Sequence, residues 1–277
     1  MRAVSTLPDV VLFLLLVSGA VGTLALVPTP APTDGTAEGT ARTLSATTVA
    51  VEDDAGRTVH GTPTGLLAAA AVDGARLDGW RLLHDDPVAS GHADALLTPA
   101  VSDGRVRVEA VWRPYPNASL VGRVAVGPRP PHAATVDAAV VTVPTGLPGE
   151  AAARRAARRS GFDGVAGLLA RSVVSRAFPP GGTRAALYDS RLRADAAVRY
   201  RHTARAVGSD ADLSVPLGAA NATAANRLVS EALAGRIEAD LRDRFDTPEA
   251  AASAVAADRV RVTVRTWHGG SRAGWSR

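Results

Sequence analysis

The chain contains no cysteine. This excludes a disulfide framework, a lipid anchor on cysteine, thiolate metal sites and thiol nucleophiles. Lysine is absent too: the 31 basic residues are all arginine, set against 27 acidic ones. The formal charge is only +4, which permits acidic partners without demanding nucleic acid. Aromatic residues make up 4% of the chain, so valine, leucine and alanine must build the core. Sharp catalytic motifs are also missing. There is no P-loop and no dinucleotide fingerprint, and Ser160, between Arg159 and Gly161, lacks a G-x-S-x-G elbow. Gly164 and Gly167 fall inside a helical pattern and read as helix-packing positions. No cofactor and no metal are expected, and the chain reads as non-catalytic.

What is present is a strong N-terminal signal. Residues 10–27 carry no charge. As a helix they span about 27 Å, close to a hydrocarbon core of about 30 Å. Two outcomes are open: cleavage as a signal peptide near Ala20 to Ala25, or retention as an anchor. With Arg2 and the α-amino group on the cytoplasmic side, retention puts the body outside. Residues 28–43, rich in Pro, Thr, Gly and Ala, read as a linker. Residues 44–268 read as one extracytoplasmic domain and 269–277 as a frayed tail.

Arg2, Ala3, Val4 and Ser5 lead into the apolar segment. This entry resembles the N-terminus of haloarchaeal type IV pilins and pilin-like proteins. The resemblance implies processing between Ala3 and Val4, with the helix kept in the mature protein. Most of the chain, lysine-free, rich in Arg, Ala and Val, and closing on residues 259–270, resembles an uncharacterised haloarchaeal family of single-pass exported proteins associated with type IV pilus-like gene clusters. That implies an accessory or minor component of a pilus-like or secretion assembly, held in the membrane through residues 10–27. Its partners would be pilus-like or surface-layer proteins.

The body predicts an α+β fold: an antiparallel sheet packed with helices on one face and joined by a C-terminal strand. Period-two alternation marks strands at 45–51, 105–113, 120–126, 135–143 and 259–267. Helices are expected at 64–72, 150–159, 162–178, 184–207 and 221–245. Within the last, Val229, Leu233, Ile237, Leu241 and Phe245 recur at i+4 on one face. Thr247 and Pro248 form a helix start, an N-cap followed by proline at the first position.

Four constellations carry the functional expectations. His84, Asp85, Asp86, His92 and Asp94 are of metal-ligand type but match no ligand spacing, and the favoured reading is a solvated polar loop. Ser160 and His60 are residues of nucleophile and base type without sequence partners; a triad would be spatial. Arg105, Arg107, Arg123, Arg259, Arg261 and Arg265 sit at alternate strand positions, so one sheet face could present them to an acidic partner. A solvated face paired with Glu109 and Asp137 is the alternative, and an external location argues against nucleic acid. Asn117 and Asn221 open N-x-[ST] tripeptides of the kind glycosylated in exported proteins, although Asn221 could equally cap its helix. The rival functions are a secreted or membrane-tethered hydrolase, with His84, His92 and His60 to test first, and a surface ligand-binding module.

Overall fold

The computed structural model describes residues 36–52, 58–83 and 105–268. Two strands, β1 (Val49–Glu52) and β2 (Thr58–Gly61), form an antiparallel ribbon. The main sheet is built from β3 (Arg76–Leu77), β4 (Trp80–Arg81), β5 (Val106–Trp112), β6 (Leu120–Val126), β7 (Thr135–Pro144) and β8 (Arg259–His268). Its order is β4-β3-β6-β5-β8-β7, and every neighbouring pair is antiparallel. The C-terminal strand joins the sheet as expected, but in its interior, between β5 and β7. The fold is thus α+β, with an antiparallel sheet and helices.

The alternation of β5 and β8 translates directly into burial. Val106, Val108, Ala110 and Trp112 of β5, and Val260, Val262 and Val264 of β8, are buried on one face. Trp112 donates its indole N–H to the Ala257 carbonyl at 2.9 Å, which satisfies the one polar atom of the largest buried side chain. Two helices pack on this inner face: α1 (Ala37–Ala46) over β7 and β8, and α2 (Pro63–Asp73) over β5, β6 and β8. α2 buries Leu67, Ala68, Ala70, Ala71 and Val72, covering more than one stripe, the mark of a helix enclosed by protein. It lies so close to β6 that a Cβ on Gly122 would overlap the Ala71 carbonyl oxygen.

The longer helices follow: α3 (Glu150–Ala177), α4 (Pro180–Tyr188), α5 (Arg193–Ala206), α6 (Ser214–Gly218), α7 (Ala222–Arg244) and α8 (Pro248–Ser253). α3 packs along α7 and against α8. It is kinked where Ser160 and Gly161 leave helical geometry, Gly161 at φ 58°, so the two helices expected at 150–159 and 162–178 run on from one another. Gly164 lets the backbone pass the Ala156 carbonyl, a packing role as the sequence suggested. Val229, Leu233, Ile237 and Leu241 of α7 are all buried, and Phe245, its C-cap, is partly so. Arg176 of α3 forks onto Asp73 of α2, Nε to Oδ1 at 2.7 Å and Nη2 to Oδ2 at 3.2 Å. This pair ties the helical layer to the sheet-facing helix.

Three expectations are corrected. Residues 36–43, assigned to the linker, belong to the domain: Thr36 caps α1 by accepting from Gly39 N at 3.1 Å, and Ala37, Thr40, Ala41 and Leu44 are buried. The strand expected at 45–51 is accordingly shorter, beginning at Val49. The helix expected over 184–207 is two helices, α4 and α5, separated at Asp189, whose carboxylate accepts from Arg191 N at 2.8 Å in a turn. Residues 10–27, like the 269–277 tail, lie outside the described residues. No helix among the described residues is long and apolar enough to cross a membrane.

Candidate functional site

The sheet face opposite α1 and α2 carries the arginines. The antiparallel registers set Val111 of β5 opposite Arg123 of β6 on one side and Arg261 of β8 on the other. Two residues along, Glu109 faces Ala125 and Thr263, and Arg107 faces Arg265. Because side chains alternate with period two, Arg107, Arg123, Arg261 and Arg265 all lie on this outer face. Arg259, at the start of β8, has the same parity and is exposed, and Arg105, just before β5, likewise.

These six do not act alike. An open groove of about 670 Å³ is lined by Arg123, Arg259, Arg261 and Arg265 together with Glu109 and Arg113. Arg113, the residue directly after β5, closes the alternating run at 105–113 and joins the groove although it is not among the six. Arg107 is turned away: its guanidinium donates to the Gly127 carbonyl at 2.9 Å and holds the turn after β6. Neither Arg105 nor Arg107 lines the groove.

Inside the groove, charge is unbalanced. Glu109, with a side chain 21% exposed, is shared: Oε1 lies 3.5 Å from Arg123 Nε and Oε2 3.2 Å from Arg265 Nη1. Arg259 Nε pairs with Asp258 Oδ1 at 3.2 Å. Arg113 and Arg261 have no side-chain partner among the described residues. Asp137, expected as a second internal partner, lies on the inner parity instead and accepts from Ala37 N and Ala138 N, both at 2.9 Å. Five guanidiniums therefore line the groove with one carboxylate, Glu109, while the second, Asp258, pairs with Arg259 from outside the lining. A guanidinium presents a rigid planar fork of N–H donors matched to carboxylate or phosphate oxygens, so this groove is built to accept anionic groups.

One flank of the groove, at Tyr115, is fixed by a clip that sequence gave no means of finding. Asp240 of α7 reaches the β5–β6 connection, where Tyr115 Oη donates to Oδ2 at 2.7 Å, Ser119 N to Oδ2 at 3.0 Å and Ser119 Oγ to Oδ1 at 2.7 Å. Arg244 Nη2 adds a 2.6 Å bond to Oδ1. Burial of Asp240 opposes its ionisation, but the bonds from Arg244, Ser119 and Tyr115 outweigh it and hold the carboxyl below its ordinary value. Burial, then the Asp240 carboxylate, push the Tyr115 phenol well above its ordinary value. Tyr115 thus stays a neutral donor, and the charged members of the clip are the Asp240 carboxylate and the Arg244 guanidinium bonded to it.

The remaining expectations separate. His60 is exposed on β2 and Ser160 is exposed at the α3 kink; they lie on different elements and neither lines any described groove. Asn117 is exposed in the β5–β6 turn at φ 56°, and the Ser119 hydroxyl of its tripeptide is engaged with Asp240. Asn221 caps α7, its Oδ1 accepting from Ala224 N at 3.0 Å. His84, Asp85, Asp86, His92 and Asp94, like Ala3 and Val4, lie outside the described residues. Among the described residues no group of three or more histidines and acids converges as a metal site. A second concavity of about 680 Å³ runs between α3 and α7 over Gly167, Ser230, Ala234 and Gly235. Its charges are largely paired along α7, Arg227 with Glu231 at 3.1 Å and Arg242 with Glu238 at 2.7 Å.

Residues 8–267 match the model of a family described as "Family of unknown function (DUF7284)". No curated protein and no solved structure matches the chain.

Proposed function

Because the chain belongs to DUF7284, a family of unknown function, we propose its role from its own residues: a non-catalytic, membrane-anchored extracytoplasmic protein that docks an acidic protein partner. The partner fits an accessory or minor position in a type IV pilus-like or secretion assembly. The observation that carries this reading is the groove in which Arg113, Arg123, Arg259, Arg261 and Arg265 surround the single lining acid Glu109. The uncharged run at 10–27 supports a retained anchor, with the N-terminus cytoplasmic and the body outside. The Ala3–Val4 entry supports pilin-like processing.

The experiment has two arms. Mass spectrometry of the mature N-terminus in the membrane fraction is expected to find a chain beginning at Val4; a chain beginning after about Ala25 and recovered from the medium sinks the anchored reading. Co-isolation of wild-type protein and of the Arg123→Glu, Arg261→Glu double variant from the cell envelope is the second arm. Loss of an acidic partner from the variant alone supports docking through the groove.

A further inference from the structure

β7 is an edge strand of ten residues, Thr135–Pro144, paired only with β8 among the described residues. The direction of its backbone groups follows from one bond. Just beyond the strand, Thr145 N donates to the Asp258 carbonyl at 2.9 Å. In an antiparallel ladder, residues that bond to the partner alternate with residues that do not. Val143, Val141, Ala139 and Asp137 therefore turn their backbone groups to β8. Pro144, Thr142, Val140, Ala138 and Val136 turn theirs outward. Pro144, which has no N–H, occupies an outward position, where proline is tolerated on an edge. Val140 is 58% exposed and Val136 41%. The usual protections of an edge, a lysine, a bulge or an inward charge in mid-strand, are missing from residues 138–143.

The outward-bonding residues are also those whose side chains lie on the arginine face. Thr142 stands directly opposite Arg261 and Ala138 directly opposite Arg265, with Val140 between them. Small side chains at 138 and 142 leave Arg261, unpaired among the described residues, and the donors of Arg265 beyond the Nη1 that bonds Glu109 at 3.2 Å, within reach of a strand added beyond β7, about 9–10 Å from β8. An arginine and a glutamate leaning toward each other over alanine or threonine bridge that gap. A second copy of this chain fits poorly: it would bring a second pair of arginines to the seam, while the one acid of β7, Asp137, is bonded to Ala37 N on the other face.

We infer that β7 receives an extended acidic segment of the partner by strand addition, with acidic side chains at two positions four residues apart, opposite Ala138 and Thr142, and an apolar residue between them opposite Val140. Backbone ladder bonds hold the segment and the alternate side chains select it, the division of labour general to β-augmentation. This rests on the docking reading above and gives it a partner chemistry.

The test uses the full chain in detergent and a synthetic β-prone peptide with glutamates flanking a valine at alternate positions. Two control peptides carry lysines for the glutamates or N-methyl groups on the alternate amides that would bond to β7. Hydrogen exchange is read at single β7 amides. Val140 and Thr142 are expected to exchange fast in the free protein and at least about tenfold slower with the acidic peptide, as a formed ladder bond requires; Ala138, whose N–H donates to Asp137 Oδ1 at 2.9 Å, is not used as a reporter. Ala139 and Val141 are slow in both states. The control peptides give no protection, and Arg261→Ser weakens binding of the acidic peptide about tenfold, the scale of a lost charge-assisted bond. Val140→Pro, which removes an outward N–H and no bond to β8, abolishes the protection. The inference is overturned if the outward amides are already slow in the free chain, if the N-methylated peptide binds as tightly as the parent, or if the free protein dimerises through these same amides. Loss of partner on reversing Arg123 and Arg261, without β7 protection, removes strand addition and leaves docking intact; retention of the partner by that double variant removes both.

Discussion

Tyr115 and Asp240, 125 residues apart, are joined by a 2.7 Å hydrogen bond from the phenol to Oδ2. The contact connects the end of β5 to the last turns of α7 and so fixes the helical layer against the sheet beside the arginine groove. Because the Asp240 carboxyl is held below its ordinary value in the folded protein, its contribution to stability is fully present above the unfolded carboxylate range, near pH 4, and is lost as pH falls through the folded value. Asp240→Asn is expected to destabilise by about 2 kcal/mol at neutral pH, the scale of hydrogen bonds to a charged group. It should also flatten the loss of stability below about pH 4. Urea titrations of both proteins between pH 2.5 and 7 (an order-of-magnitude window around the carboxylate range) check the sign; a variant with the parent's acid slope contradicts it.

Gly122 is the point of closest approach between β6 and α2. Its replacement by alanine places a Cβ against the Ala71 carbonyl oxygen, and neither backbone can yield without shifting helix or strand. The expected cost is about 3 kcal/mol or more, at the upper end for overpacked sites. Thermal denaturation measures it. A variant as stable as the parent would place α2 further from the sheet than described.

The interior of the helical layer depends on Asn226. Its amide donates to the Phe178 carbonyl at 2.8 Å while its Oδ1 accepts from Tyr200 Oη at 2.6 Å, and the Phe178 and Tyr200 rings stack 4.0 Å apart. Asn226→Leu removes both bonds and strands a buried phenol and carbonyl, for an expected loss of about 2–4 kcal/mol. Tyr200→Phe in the same background should recover part of it, since it removes one orphaned group. A double-mutant cycle without coupling would show that these residues do not act as a unit.

Arg259 and Arg261 are exposed and bear on binding more than on folding. Reversing both to glutamate is expected to change stability by no more than about 0.5 kcal/mol, as surface substitutions away from a network do. Denaturant midpoints check this, and a larger loss would assign the pair a structural role.

The central strands were legible because each has one face buried and one solvated. Val106 to Trp112 and Val260 to Val264 alternate in sequence as they do in the fold. α7 was legible for the same reason at helical period, and the Thr247–Pro248 start for its local chemistry, with Thr247 Oγ1 accepting from Ala250 N at 3.2 Å. α1 was hidden by composition: its buried face is Ala37, Thr40, Ala41 and Leu44, too weakly apolar to stand out from a linker. The break between α4 and α5 lies in a turn closed by Asp189, which carries no glycine or proline signal. At the site, six arginines were placed on one face by parity alone, but which of them line the groove depends on strand order. Arg107 is withdrawn by a carbonyl 20 residues away, and Arg113 joins from directly beyond the end of β5. The Asp240 clip joins residues more than a hundred positions apart and leaves no local trace.

The most direct test of docking through the arginine face is site-specific photo-crosslinking in intact cells. A photoreactive side chain at Thr263, on the floor of the groove, is compared with one at Val198, exposed on α5. An adduct with an acidic exported protein from position 263, absent from 198 and lost when Arg123 and Arg261 are reversed to glutamate, is the predicted result. No adduct from 263, or the same adduct from both positions, contradicts the account.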